Sequence, residues 1–419
     1  MRSPSRRAKG TLALTTAAVL ALGLAGCAPA APSAPETITF MPVVSKNLNE
    51  ALWNGIISDF EKANPTVTVT LVSPAGKEYT SYGKTLLAAG NFPDVVVASN
   101  ADFVTLGALA PLDESLVSGF KNYKDTAIDD KYYSVPTAVQ PQSLIFYNKD
   151  LFTKAGISAP PTTFDELTKD LALLKPVTPT PFAVTGEWTT GFQYGILSTP
   201  TVMGQTHDWF AQKAADKVSF ADSAYADTAK LLADWNSKGY LGQGALSKTF
   251  DQGGKDFLAG DSAMYPMGVW FGATIAASKP PFEVGVFPVP TKSGDPVISS
   301  VLSLNYAVSS TSKASDGATK FVKFLTQNEK AVGAQISADG LFSNATKPVT
   351  YDQPAILKDV AALLGSSTLE FSSSNGLGKS VPPAGYSDFL NTSAQSLVLG
   401  QLDANGFVTG LDKWWSSNK

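Results

Sequence analysis

Apolar positions along this chain keep two different rhythms, and the alternation between them outlines the fold. Thr37–Phe40 and Val67–Val72 read as strands, the second with apolar and polar residues in strict alternation. Between them Leu52, Ile56, Ile57 and Phe60 recur at helical spacing, and that run stops at Asn64-Pro65. A helix is predicted at about Glu78–Ala89, and Asp94-Val95-Val96-Val97 is a short apolar run suited to a strand covered on both faces. Strand, helix, strand, helix, strand is the order of an α/β lobe. A second α/β region follows, with helices near Phe164–Leu174, Gly191–Leu197, Tyr225–Lys238 and Gly254–Ala259. Its short strands fall at Phe182–Val184 and Ser262–Pro266. From about Pro354 onward the pattern is mostly helical, and no internal repeat is visible.

The sharpest local signals lie between Ser143 and Leu167. Ser143–Tyr147 is an apolar strand, and Asn148 can turn the chain by bonding its own backbone, with Asp150 near the start of a short helix. Gly156 suits a left-handed helix cap, and Pro160-Pro161 keeps that helix from resuming. Thr163 and Glu166 stand at capping-box spacing, so the next helix starts there.

Composition changes this picture at one end of the chain. Arg2, Arg6, Arg7 and Lys9 precede an uncharged apolar run, Leu12–Leu24, too short and too unevenly flanked for a permanent span. It reads as a secretory signal over residues 1–26. Leu24-Ala25-Gly26-Cys27 resembles the lipobox of bacterial lipoproteins, which implies cleavage before Cys27 and lipid on its sulfur. Residues 27–36 then form a lipid-anchored tether, Ala28 to Pro35 being Ala, Pro and Ser alone. Every arginine lies ahead of Cys27, so the remainder is acidic with lysine as its only strong base. Such a surface argues against nucleic acid, and it disfavours ligands that call for the guanidinium fork. One cysteine and one histidine leave no disulfide and no metal site to expect. About 385 residues beyond the tether exceed what one core comfortably holds, so two lobes are expected.

Tyr133–Leu167, "YSVPTAVQPQSLIFYNKDLFTKAGISAPPTTFDEL", resembles the signature segment of extracellular sugar-binding proteins of ATP-binding-cassette importers, the maltodextrin-binding-like family. "FEKANPTVTV", "FPDVVVAS", "FLAGDSAMYPMGVWF", "VFPVP", "NYAVSSTSKASDGATKFVKFLTQNEKAVGAQISADGLFSNATKPV" and "LVLGQLDANGF" match in family order. The resemblance implies a type II periplasmic-binding-protein-like α/β fold: two discontinuous lobes, a hinge and a ligand cleft between them. Residues 37–140 and 305–347 would form the N-terminal lobe, 141–304 and 348–419 the C-terminal lobe. The chain would cross between lobes near Val139–Gln142, Leu302–Asn305 and Thr346–Thr350. The implied protein is a monomeric receptor outside the membrane, held there by lipidated Cys27. It would take no cofactor, bind carbohydrate and deliver it to permease subunits. A receptor for a polyol and a secreted carbohydrate-active hydrolase are the rival readings.

Enzymatic motifs do not survive inspection. Gly378-Lys379-Ser380 lacks the first glycine of a phosphate loop, Ser373 standing in its place, and prolines follow where a helix must begin. His207 stands alone, with no nucleophile motif beside it, and no Gly-x-Ser-x-Gly elbow occurs. Sugar sites set aromatic faces against pyranose C–H faces and place amides and carboxylates on the hydroxyls. The resemblance singles out Trp270, where a loop leaves a central strand, Trp188 before a cleft-facing helix, and Tyr386 in a loop near the cleft. Polar candidates are Asn47 (with Asn49) after the first strand, Asn100 and Asp102 after the Asp94 strand, Gln142 (with Gln140) in the hinge, and Asn305 at the second crossing. Trp53, Trp235 and Trp414-Trp415 are expected to be packing residues.

Overall fold

In the computed structural model the described residues are 35–419, apart from 75, 99–101, 372–381 and 384. They contain β1 (Glu36–Met41), β2 (Val67–Leu71), β3 (Val95–Val97), β4 (Val135–Pro141), β5 (Leu144–Asn148), β6 (Thr180–Phe182), β7 (Ser262–Met267), β8 (Val284–Pro288), β9 (Val297–Val308), β10 (Phe342–Ser343) and β11 (Thr368–Phe371). Two sheets result. The larger runs β10-β4-β9-β3-β1-β2, with β11 added on β9, and the smaller runs β6-β7-β5-β8. β1 lies parallel to β2 and β3, whereas β9 is antiparallel to β3 and β4. The lipobox, Cys27 and the rejected Gly378-Lys379-Ser380 motif lie outside the described residues.

Local chemistry sets most of the helix starts. Asn148 Oδ1 accepts from the N–H groups of Asp150 and Leu151 at 3.0 and 3.1 Å, so the strand turns directly into the helix Lys149–Lys154. Gly156 then takes φ 75°. Thr163 and Glu166 form the reciprocal capping box of the helix Phe164–Leu174. Thr249 and Gln252 form another, starting a helix at Phe250 rather than at Gly254. The helix near Gly191 is also longer than its periodicity suggests, running Thr189–Gln205 through Pro200. Nearly all of that helix is buried, so neighbours on every side hold it in place of an amphipathic stripe.

One core lies against the larger sheet, where Phe40 meets Trp53 and Phe321 edge-on at 5.6 and 5.1 Å. It continues to Phe146 and Tyr265 of the smaller sheet and to Phe271. A second core gathers Phe182, Tyr194, Trp209, Phe220, Trp235 and Trp415. Trp53 and Trp235 bond through their indole N–H groups to Val43 O and Thr168 Oγ1, and both are packing residues.

The chain passes from the larger sheet to the smaller between β4 and β5, and returns at the start of β9. β9 contains Leu304 at φ 53°. A left-handed leucine costs about 1–2 kcal/mol. Burying its side chain contributes about 1.5–3 kcal/mol, enough to hold that conformation. The tail rejoins the larger sheet through β11 before its last two helices, Tyr386–Val398 and Ala404–Asn418, close on the second core. Within β11, Glu370 pairs with the exposed His207 at 2.5 Å, away from the cavity described below.

Candidate functional site

The loop after β1 begins at the carboxyl end of a parallel strand, where α/β folds present their binding groups. Val43 and Ser45–Leu48 of that loop line a cavity of about 810 Å³. Gln140 and Gln142, at the passage from β4 to β5, line it as well, as does Ser299 of β9, whose carbonyl accepts from Gln142 N at 2.8 Å. The volume lies within the range of small-molecule sites.

Four aromatic rings share one wall. Trp188 lies 5.6 Å from Phe192 and 5.4 Å from Phe250, and Trp270 lies 5.4 Å from Phe192 and 6.5 Å from Trp188, all centroid to centroid. Trp270 opens the helix Trp270–Ser278 after β7, and its ring lies over Gly268. A Cβ at Gly268 would stand 2.0 Å from the indole, so only glycine leaves room for the ring. Trp188 remains 47% exposed, a large apolar surface left open at the cavity wall.

Trp188 is placed by its neighbours. Glu187 takes φ 58°, and its carbonyl accepts from Asn391 Nδ2 and Gln395 Nε2 at 2.5 and 2.8 Å. Asn391 Oδ1 accepts in turn from Gly191 N at 3.0 Å, and Glu187 Oε2 accepts from Phe250 N at 3.2 Å. Three helices and the loop that carries Glu187 are thereby tied together beside Trp188.

Polar groups converge on the same cavity. Asn47 Nδ2 donates to Asp339 Oδ1 at 3.0 Å and reaches the Trp270 carbonyl at 3.4 Å. Burial pushes the Asp339 carboxyl up to about 6, and the hydrogen bond from Asn47 opposes that rise. Lys46, Asp251, Lys255 and Asp388 complete the charged lining.

Asn47, Gln142, Trp188, Trp270 and Tyr386 therefore meet at one cavity. Tyr386 also belongs to the second core, 5% exposed, and its hydroxyl is held well above the usual phenol range by burial. Two expectations need correction. Asn305 is paired within the larger sheet, 3% exposed, with Nδ2 donating to Leu302 O, and it does not line the cavity. Strand pairing carries it into the sheet even though the crossing is nearby. Asp102 lies outside the lining and pairs with Lys84 at 2.6 Å. Asn49 caps the helix Glu50–Ala63 through Leu52 N. Asn100 lies outside the described residues. Phe192, Phe250, Asp339 and Asn391 also line the cavity, and the sequence did not nominate them. For Phe250 a signal existed in the Thr249–Gln252 capping box, which places it at a helix start.

Residues from both sheets and from the helices around them line one aromatic-walled cavity. Residues 45–332 match the model of a family described as bacterial extracellular solute-binding protein. A multiple sugar-binding protein of Streptococcus mutans serotype c is 29% identical over 364 residues, covering 81% of this chain and 83% of its own. The diacetylchitobiose binding protein DasA of Streptomyces coelicolor is 27% identical over 274 residues, 62% of each chain. Among solved structures, a chitin oligosaccharide binding protein superposes with a TM-score of 0.78 at 24% identity, covering 91% of this chain and 98% of the other. The match to the family model spans well over half of the sequence, and the chain belongs to the bacterial extracellular solute-binding protein family.

Proposed function

We propose that this protein is the substrate-binding lipoprotein of an ATP-binding-cassette importer, which captures a neutral mono- or oligosaccharide and delivers it to the permease. The aromatic wall of Trp188, Phe192, Phe250 and Trp270 carries the reading. Flat rings cover the apolar faces of a pyranose, while Asn47, Gln140, Gln142 and Asp339 supply groups for its hydroxyls. The names of the Streptococcus and Streptomyces relatives point the same way.

In this reading residues 37–140 with 305–347, and 141–304 with 348–419, are lobes that close by hinge motion where β4 gives way to β5 and β9 returns. A bound ligand touching both lobes favours the closed form because it interacts with that form more strongly. Cys27 carries the lipid that keeps the receptor at the outer face of the membrane, and the receptor works as a monomer.

Calorimetric titration with glucose, maltotriose, raffinose, diacetylchitobiose and sorbitol tests the assignment. Saturable binding of a sugar without turnover is expected. Tighter binding of sorbitol would make this a polyol receptor, and cleavage of an oligosaccharide would make it a hydrolase.

A further inference from the structure

Asp339 is a carboxylate of the cavity with a single hydrogen-bond donor on it among the described residues. It ends the helix Glu329–Asp339, where the last carbonyls already concentrate negative charge, and Gly340 caps the turn at φ 65°. It sits deep in the protein yet keeps part of its surface open to the cavity. One amide hydrogen, from Asn47, reaches its Oδ1 at 3.0 Å. An ionised carboxylate has about four acceptor sites, so one donor leaves most of them empty.

Among the described residues no cation forms an ion pair with Asp339. Burial and the Asn47 bond are what act on its ionisation, leaving it at about 6. The helix Trp270–Ser278 and β10, both packed against its own helix, contain no ionisable acid or base. The helices Glu50–Ala63 and Ser315–Gln327 carry Glu50, Asp59, Glu61, Lys62, Asp316, Lys320 and Lys323, and none of them moves the Asp339 equilibrium. On its own helix Lys330 is engaged with Asp59 at 2.5 Å. Lys46, Asp251, Lys255 and Asp388 share the cavity wall without forming an ion pair to it among the described residues. A buried carboxylate so poorly supplied is costly unless an outside donor completes it. Fixing Asn47 alone would need only a neutral acceptor.

We propose that Asp339 is a specificity-determining residue of the cavity, its free acceptor sites taking adjacent hydroxyl groups of the sugar ring held beside Trp270. This rests on the sugar-binding reading above. Because the ionised group only accepts, the site selects rings that present two donors at that position and rejects rings deoxygenated or O-methylated there. Asn47, which bridges Asp339 and the Trp270 carbonyl, keeps the acceptor and the aromatic wall in register.

The test is titration of wild type and Asp339→Asn with raffinose and with diacetylchitobiose, at about pH 7.5 and about pH 5, with melting temperatures of both proteins. Asparagine keeps the shape and the acceptor for Asn47. The variant should bind the tighter probe about 10- to 100-fold more weakly at the higher pH, the scale of a charge-assisted hydrogen bond. Wild-type affinity should fall about tenfold at the lower pH as the carboxyl protonates, and the variant should show no such fall. Its melting temperature at the higher pH should equal or exceed that of wild type. Affinity within about twofold of wild type, with the wild-type pH profile retained, overturns the proposal. So does an affinity loss accompanied by a lower melting temperature, which marks a structural role. If wild type binds neither these probes nor any other sugar tested, the sugar-binding reading itself is what fails.

Discussion

Trp188 and Trp270 face the same cavity from different situations, and that difference separates binding from stability. Trp188 is half open to solvent, while Trp270 is partly buried against the core. Trp188→Ala should therefore weaken sugar binding by about 10-fold or more with little change in Tm, since a lost aromatic contact costs about 1.5–3 kcal/mol. Trp270→Ala should lower affinity by about 10- to 200-fold and also lower the Tm of the free protein, because its removal leaves a gap beside Phe192. Titration and melting on the same two variants check both statements. Asp339 makes a prediction of opposite sign for stability. Burial holds its carboxyl at about 6 in the fold, above the ordinary carboxylate range of the unfolded chain, so between the two the folded chain keeps a proton that the unfolded chain has lost. The group thus favours folding below about pH 4, loses that contribution as the pH rises toward 6, and changes little above. Asp339→Asn should accordingly gain stability relative to wild type across that window, by about 3 kcal/mol at pH 7. Urea denaturation at several pH values measures this, and a constant difference from pH 4 to pH 7 would refute it.

At the scale of elements, the turn from β7 into the helix Trp270–Ser278 fixes the aromatic wall. Gly268 lies beneath the Trp270 indole, and an added methyl would stand 2.0 Å from the ring. Gly268→Ala should displace the ring and reduce affinity about as much as Trp270→Ala, whereas the double variant should lose little more than either alone. A loss that adds in full would place the effect of Gly268 elsewhere. Elements of this kind also show what the sequence made legible. Asn148 and the Thr163–Glu166 pair were readable because their bonds close within three residues. That Trp188 and Trp270 line the cavity was readable from the family likeness, and that Asn47 and Gln142 do was readable from their places after the first strand and at the hinge. Phe192 and Asp339 were not. Each sits on a helix whose cavity-facing side depends on partners far away in sequence, as with Asn391, which is 200 positions from the Gly191 it holds. Asn305 was misplaced for the converse reason. Its position in the chain suggested the cleft, but pairing with Pro136 of β4 carried it into the sheet.

Considered whole, the molecule is an acidic receptor whose strong bases beyond Cys27 are all lysine, and two separable expectations follow from that. No helix among the described residues is long and apolar enough to cross a membrane, and in the proposed reading the lipid on Cys27 is what holds the receptor there. Cys27→Ala should move the protein from the membrane fraction to the soluble one, because a diacyl anchor gives stable attachment where a single short chain does not. Ligand capture depends on a different balance of charge. Lys46 and Lys255 line the cavity, but Asp251, Asp339 and Asp388 line it too, so no surplus of positive charge awaits an anion. A neutral sugar is then held by aromatic faces and by short polar contacts, neither of which is screened over the roughly 10 Å Debye length of about 0.1 M salt. Affinity should change by less than about twofold between low and moderate salt. Sugar phosphates and uronates should bind more weakly than their neutral parents, since the cavity offers them carboxylates and no guanidinium fork. Titration of one neutral sugar and its uronate at two salt concentrations reads both effects. A steep salt dependence with the acidic ligand preferred would mean that Lys46 and Lys255 govern recognition, and would replace the neutral-sugar reading with an anionic one.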